Sequence, residues 1–204
     1  MISVMAILPR TLLFARHGET AWNHEARWQG HTDIALNQRG REQAAALAKR
    51  LRGFRIGHVF SSDLQRARET AAIVAQLLTI DQHTVDARLR ERGFGAFEGL
   101  TRDDCASQFP EVWAAYEQDR RVMPPGSEPH DAVIERLRAG VSAAMAATRD
   151  DAAVLVVGHG GALRLFLTSV FDRPFAPIAN GAVLRAIIVG DRLDSVDELD
   201  FAPD

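Results

Sequence analysis

Two hydrophobic rhythms alternate along the chain. Apolar runs at residues 11–15, 58–61 and 153–157 have the length of strands. The last, Ala153-Val154-Leu155-Val156-Val157, has no polar member, as expected of a strand covered on both faces. Elsewhere the apolar positions recur at helical spacing. In "NQRGREQAAALAKRL" (37–51) Ala44, Leu47, Ala48 and Leu51 share one face, and in "DLQRARETAAIVAQLL" (63–78) Leu64, Ala67, Ala71, Val74 and Leu78 do the same. Ser61-Ser62-Asp63 stands at the mouth of that second helix with side chains suited to capping it. Residues 129–148 and 162–171 predict two further helices, and "GAVLRAIIVGDRLDSVDELD" (181–200) predicts one or two strands, a hairpin turning at Gly190-Asp191. Strands alternating with helices predict an α/β fold with a largely parallel sheet and helices on both faces.

The stretch from about 92 to 130 breaks this rhythm. It holds Trp113, Tyr116 and four of the eight prolines, with short helical pieces interrupted at Phe109-Pro110 and at Pro124-Pro125-Gly126. It reads as an excursion from the sheet, a lid or wall over a site. At 204 residues the chain is most economically one domain, 1–204, able to bury about 70% of its unfolded surface. Hydrophobic residues at 47% and charged residues at 25% are ordinary for a globular protein and far from disorder. A net charge of −3 gives no bulk attraction for nucleic acid or an anionic membrane, so an anion site has to be built from a few placed arginines. Cys105, the only cysteine, allows no internal disulfide and no C-x-x-C metal site. It is expected half-buried on a short helix, where acidic neighbours disfavour a thiolate. The opening "ISVMAIL" is too short to span a membrane and has no basic leader, so the expected location is cytoplasmic.

Chemistry collects where the strands stop. "LLFARHGETAWN" (12–23) runs apolar until Arg16-His17-Gly18-Glu19, and "AVLVVGHGGALR" (153–164) until Gly158-His159-Gly160-Gly161. Ligands of open α/β sheets sit outside the carboxyl ends of the strands. Ser61-Ser62 marks a third such end, with Arg66 one turn into the following helix. If these strands are neighbours, Arg16, His17, Arg66 and His159 converge. Two guanidiniums are forks matched to phosphate oxygens, and Gly160 and Gly161 offer backbone N–H groups at a helix N-terminus. Such a pocket holds a phosphoryl group without metal, with His17 beside Arg16 as the natural nucleophile. His17, His24 and His31 recur every seven residues, but Gly18 and Gly30 break any helix that would align them. With no H-x-x-x-H pair either, no metal and no cofactor are expected.

"RHGET" after a strand, "SSDLQRARET", "LRERGFGAFEG" and "VVGHGG" together resemble the histidine phosphatase superfamily, the phosphoglycerate mutase-like enzymes, over residues 11 to about 190. The resemblance implies a three-layer α/β sandwich with a mostly parallel mixed sheet. It implies that His17 is phosphorylated in turnover, that Arg16, Arg66 and His159 clamp the phosphoryl oxygens, and that Glu91 of Leu89-Arg90-Glu91 is the general acid. The same motif favours Arg66 over Arg68, which is left on the outer face. Asn23 falls at the family's asparagine, and "RWQGHTDIALNQRG" places Gln29 and Gly30 at the pocket rim. Two departures stand out. Asn37 replaces a common threonine while keeping a helix-capping side chain. "PPGSEP" replaces a usual Gly-Glu-Ser, which puts the positions of Ser127 and Glu128 in question.

The charge balance predicts no nucleic-acid or membrane partner, the oligomeric state stays open between monomer and homodimer, and the resemblance implies a phosphatase acting on a small phosphorylated metabolite. "RWQGHTD" and the short span from Glu91 to His159 point that way. Arg102 and the Arg120-Arg121 pair resemble the carboxylate-binding residues of phosphoglycerate mutases, which keeps that activity as the alternative. A non-catalytic phospholigand-binding module is the contrasting class, but no nucleophile, arginine or acid is missing here.

Overall fold

The computed structural model describes residues 9–149 and 151–199. Their elements run β1 (Arg10–Arg16), α1 (Ala21–His24), α2 (Gln38–Arg50), β2 (Ile56–Ser61), α3 (Gln65–Leu78), β3 (His83–Val85), α4 (Arg102–Gln108), α5 (Pro110–Gln118), α6 (His130–Ala147), β4 (Ala153–Gly158), α7 (Gly160–Phe171), β5 (Val183–Val189) and β6 (Arg192–Glu198). They form one six-stranded mixed sheet of order β3-β2-β4-β1-β5-β6. The four strands from β3 to β1 are parallel, while β5 runs antiparallel to β1 and hairpins into β6. The apolar segment at 2–8 and residues 200–204 lie outside the described residues.

Alternation along the central strands explains the layers. Successive side chains of a strand point to opposite faces. Leu12, Phe14, Val154 and Val156 pack with Val133, Leu137, Leu163 and Phe166 of α6 and α7. Leu13, Ala15, Leu155 and Val157 face the other way, onto Leu47, Ala48, Ala67 and Ala71 of α2 and α3. The strand with no polar member is thus covered on both sides. Leu155 is completely buried, and truncating such a residue to alanine costs on the order of 2–5 kcal/mol.

The excursion has a small core of its own, built from Phe97, Cys105, Trp113 and Tyr116 with Trp28 and Phe94 against them. Cys105 is therefore fully buried rather than half-buried, and burial pushes its thiol up to about 11. Phe109-Pro110 divides α4 from α5, with the proline at the first helical position where its missing N–H costs nothing. Two elements were not anticipated. The three-residue edge strand β3 and the one-turn α1 are both too short for a periodic signal.

The capping of α3 also differs from expectation. None of Ser61, Ser62 and Asp63 accepts an N–H inside it; Ser62 Oγ accepts that of Leu64, just before the helix, at 3.3 Å. Asp33, in the loop before α2, accepts the Gln65 N–H at 2.7 Å, while Asp63 pairs with both Nε and Nη2 of Arg90 at 2.8 and 2.6 Å. A local motif yielded to a better acceptor supplied by the fold. At α2 the expectation holds, with Asn37 accepting the Gly40 N–H at 2.8 Å.

Candidate active site

Register brings the strand ends together. Arg16 lies opposite Gly158, and Ser61 opposite Val157, so β1, β4 and β2 stop along one line. His17 continues from β1, its N–H held by the Gly158 carbonyl at 3.0 Å. The turn behind it needs glycine. A Cβ on Gly18 would stand 2.3 Å from the Gly40 carbonyl oxygen, and one on Gly40 2.1 Å from that of Glu19. Two backbones pass where side chains cannot, and this docks the His17 turn against α2. Thr70 adds a latch from α3, accepting the Gly18 N–H at 3.0 Å and donating to the Arg66 carbonyl at 2.8 Å.

The His17 ring has a defined tautomer. Its Nδ1 lies 2.6 Å from the Gly18 carbonyl oxygen, which can only accept, so Nδ1 carries the proton and Nε2 the lone pair. Burial, then the charges of Arg66 and Arg16, hold this imidazole well below its ordinary range. His159, fully buried at the end of β4, is lowered by burial first and then by Arg66, His17 and Arg16. The two rings stand 5.1 Å apart, inclined at 59°. Both are neutral near pH 7, and an unprotonated imidazole is what nucleophilic attack requires.

Around them are polar groups that the protein itself does not satisfy. The Nε of Arg16, the Nε of Arg66 and both ring nitrogens of His159 are buried without a hydrogen-bond partner. Buried donors left unpaired are costly, and at a pocket they point to a ligand that pairs them. The other ends of both guanidiniums are anchored. Arg16 Nη1 donates to the Ile178 carbonyl at 2.7 Å, and Arg66 donates to the Gly30 and Thr32 carbonyls at 2.8 and 2.9 Å. Arg66 is fully buried, and that burial lowers it to about 10, still cationic at neutral pH. Arg68 is exposed on the outer face.

Glu91 closes the pocket at the N-terminus of α7. Its carboxylate accepts N–H bonds from Gly161 at 3.0 Å and Ala162 at 2.7 Å, and from Arg92 at 2.9 Å. Of the two glycine N–H groups expected to face an anion, that of Gly161 is therefore taken by Glu91. Gly160 packs against Arg16, where a Cβ would sit 3.0 Å from its Cδ. The backbone carrying Glu91 is clamped by Arg136, which donates to the carbonyls of Arg88, Arg90 and Glu91 and holds Glu128 through Nε and Nη2, both at 2.7 Å. Glu128 thus has a defined place, as the partner that orients Arg136. His31 adds a bond to the Glu91 carbonyl at 2.8 Å.

The rim is organised by Glu98, which gathers the His31 N–H, the Phe94 N–H, and the Thr32 N–H and hydroxyl at 2.6 to 3.0 Å. Gly30 sits against it at φ +54, where a Cβ would meet the Glu98 carboxylate at 1.9 Å. Gln29 is buried with its Oε1 unpartnered. Asn23 accepts the Thr20 N–H at 3.1 Å in a reciprocal cap of α1, and Asn180 bridges its Oδ1 at 3.3 Å to the His17 carbonyl at 3.0 Å. Four supporting residues were not singled out from the sequence: Thr70, Glu98 as an organiser, Arg136 and Asn180. Thr70 had a signal, lying one helical turn after Arg66 on the same face. Among the described residues no group of three or more His, Cys, Asp or Glu could hold a metal ion.

A mixed sheet whose parallel central strands β1 and β4 end in two neutral histidines beside two buried guanidiniums defines an α/β protein with a candidate anion site. Over residues 12–189 the chain matches the model of the histidine phosphatase superfamily, branch 1, and it belongs to that family. It is 37% identical over 165 residues to phosphoglycerate mutase-like protein 4 of Arabidopsis thaliana, covering 79% of this chain and 70% of that one. It is 38% identical over 165 residues to bifunctional protein Rv2228c of Mycobacterium tuberculosis, covering 80% of this chain, and it spans only 45% of that relative's length. Among solved structures, that of the mycobacterial glucosyl-3-phosphoglycerate phosphatase Rv2419c with VO3 is similar, with a TM-score of 0.76 and 30% identity over 87% of this chain and 90% of that one.

Proposed function

We propose that this protein is a phosphatase that hydrolyses small phosphomonoesters through a phosphohistidine at His17, the whole chain serving as one catalytic domain in the cytoplasm. The observation that carries this reading is the His17 tautomer. With Nδ1–H committed to Gly18, the Nε2 lone pair is the reactive one, among buried donors of Arg16, Arg66 and His159 that lack partners. In the first step Nε2 attacks phosphorus, the P–O ester bond breaks, and protonated Glu91 gives its proton to the leaving oxygen. In the second, water attacks the phosphohistidine, the N–P bond breaks, and Glu91 takes the proton back. The arginines and His159 stabilise charge on the equatorial oxygens, the main task in phosphoryl transfer. The partner is a small phosphorylated metabolite, with neither nucleic acid nor membrane involved. Among the described residues no helix is long and apolar enough to cross a membrane.

A second reading is favoured by the name of the plant relative. A mutase would return the phosphoryl group from His17 to a hydroxy acid instead of water. One experiment decides between them. Purified protein is screened against a phosphomonoester panel, with and without 3-phosphoglycerate and its bisphosphate. Release of inorganic phosphate from several esters without any acceptor is the expected result. Phosphoryl transfer between phosphoglycerates, with negligible release of phosphate, would establish the mutase, and no turnover of either kind would overturn both.

A further inference from the structure

A groove runs between α6, α7 and the β5–β6 hairpin, remote from His17. Arg10 pairs with Ile188, so the hairpin turn lies at the end of the sheet opposite the histidines. Two adjoining cavities of about 300 and 190 Å³ form the groove, and Ser142, Met145 and Asp191 line both. Its floor is apolar, with Val141 and Phe166 buried and Met145, Val170 and Leu193 half-buried around them. Leu193 is aimed there by a slip in register. Ile187 pairs with Ser195 but Ile188 with Leu193, so the extra residue Asp194 turns Leu193 to the same face as Val196.

The rim is cationic. Arg138 of α6 and Arg192 of β6 line the larger cavity, and among the described residues neither side chain has a hydrogen bond or an ion pair. Arg10 lines the smaller one. It donates to the Met145 and Thr148 carbonyls at 3.3 Å each and to the Gly190 carbonyl at 2.7 Å, none of which neutralises its charge. Three guanidiniums thus face one carboxylate, that of Asp191, in a chain whose net charge is −3. An apolar floor under a cationic rim complements an anion with an apolar body.

Both helices that wall the groove also hold Glu91. Arg136, two positions before Arg138 on α6, clamps the Glu91 backbone, and the Gly161 and Ala162 N–H groups of α7 hold its carboxylate. Val170 lies nine residues beyond Gly161, roughly 14 Å along α7. We propose that this groove is an effector site for a small amphipathic carboxylate, its chain on Val141, Phe166 and Leu193 and its headgroup at Arg138 and Arg192, and that occupancy is felt at Glu91. Packed helices shift as units, so a chain wedged between α6 and α7 displaces the α7 N–H groups relative to the Arg136 clamp. The binding site is independent of the phosphatase reading. The effect on turnover rests on that reading.

The test titrates the full chain with butanoate, hexanoate and octanoate, and with octanol as the uncharged control, in the presence and absence of vanadate. Calorimetry should show saturable octanoate binding that vanadate does not displace, with Kd tightening about fourfold per buried methylene. The Arg138→Gln/Arg192→Gln double variant should weaken octanoate by at least about tenfold and leave octanol unchanged. Ser142→Trp, on the exposed rim, should block both. In turnover, octanoate should slow an alkyl phosphate at least about threefold more than p-nitrophenyl phosphate, because the first needs the proton of Glu91. Binding that vanadate abolishes would place octanoate at His17 and overturn the proposal. So would no saturable binding, whether residues 1–8, a second copy or nothing fills the groove. Binding that leaves the ratio of the two rates unchanged overturns the link to Glu91. Turnover of p-nitrophenyl phosphate without octanoate scores the phosphatase reading separately. If nothing turns over, the Gly161 and Ala162 amide resonances decide the link, shifting with octanoate in wild type and staying still in the double variant.

Discussion

The imidazoles of His17 and His159 stand 5.1 Å apart at the ends of two neighbouring parallel strands, both neutral because burial and two guanidiniums oppose a proton on either. Lowering a histidine's pKa in the fold means that the unfolded chain binds more protons at mildly acidic pH. This contribution to stability is therefore complete above the ordinary value of about 6.5 and falls as the pH drops below it. In the ligand-free protein, ring proton resonances of His17 and His159 should not titrate near the ordinary midpoint. Bound phosphate reverses the sign by supplying negative charge, so either ring should then titrate at higher pH. A midpoint near the ordinary value for His17 without ligand would contradict the account of its reactive form.

On the proposed mechanism His17→Ala removes the nucleophile, and positioning cannot replace a nucleophile. Activity should fall to background. Wild-type protein quenched during turnover should carry acid-labile phosphate that peptide mapping places on His17. Label on His159, or near-normal activity in the variant, would refute the assignment.

Positive charge in the pocket comes from Arg16 and Arg66. EDTA should accordingly leave the rate unchanged, and vanadate should inhibit competitively by engaging the partnerless donors of both arginines and His159. Loss of activity on chelation, restored by a divalent cation, would show a metal-dependent reaction.

The strand ends were legible in the sequence because the chemistry sits at abrupt boundaries: an apolar run stops, and Arg16-His17 or His159 follows. Arg66 could be chosen over Arg68 because the family's motif favours it, and the structure buries Arg66 and leaves Arg68 exposed. The supporting groups were less visible. Asn180 reaches the His17 carbonyl across 163 positions, and Arg136 reaches Glu91's backbone across 45. Such bonds depend on where loops land and leave no periodic trace. The capping of α3 was misread for a related reason. Asp63 is a good local cap, but Arg90 offers it a charged, bidentate partner, and Asp33 arrives by the fold to do the capping.

Glu98 works at one remove from the site. It fixes residues 30–32, whose carbonyls hold Arg66. Burial pushes its carboxyl upward, but the Thr32 hydroxyl and the N–H groups of His31, Phe94 and Thr32 outweigh that, so it is ionised and is not a proton donor. Glu98→Ala strands four donors, each costing on the order of 1–3 kcal/mol if left unsatisfied. Vanadate affinity should drop about tenfold or more as Arg66 loosens, and Glu98→Gln, which keeps one accepting oxygen, should recover part of it. A lower melting temperature with unchanged vanadate affinity would reduce Glu98 to scaffold alone.

The proposed mechanism gives Glu91 a role toward the leaving group that is separable from the one it has at the helix. As a carboxylate it holds the first N–H groups of α7, and a charge at a helix N-terminus is worth about 0.3–1 kcal/mol. As an acid it matters only when the departing oxygen needs a proton. Glu91→Gln keeps an accepting oxygen for α7 and removes the proton donor, so its melting temperature should change by only a few degrees. Hydrolysis of alkyl phosphates should slow by roughly 10²-fold or more, while p-nitrophenyl phosphate, whose leaving group departs unprotonated, should be affected far less. Equal losses on both substrates would assign Glu91 to the helix alone. The proton donor would then be sought at Glu19, whose Oε1 accepts from Asn37 at 2.8 Å beside the His17 turn. Glu19→Gln, measured on the same two substrates, would show the unequal losses that Glu91→Gln had failed to show.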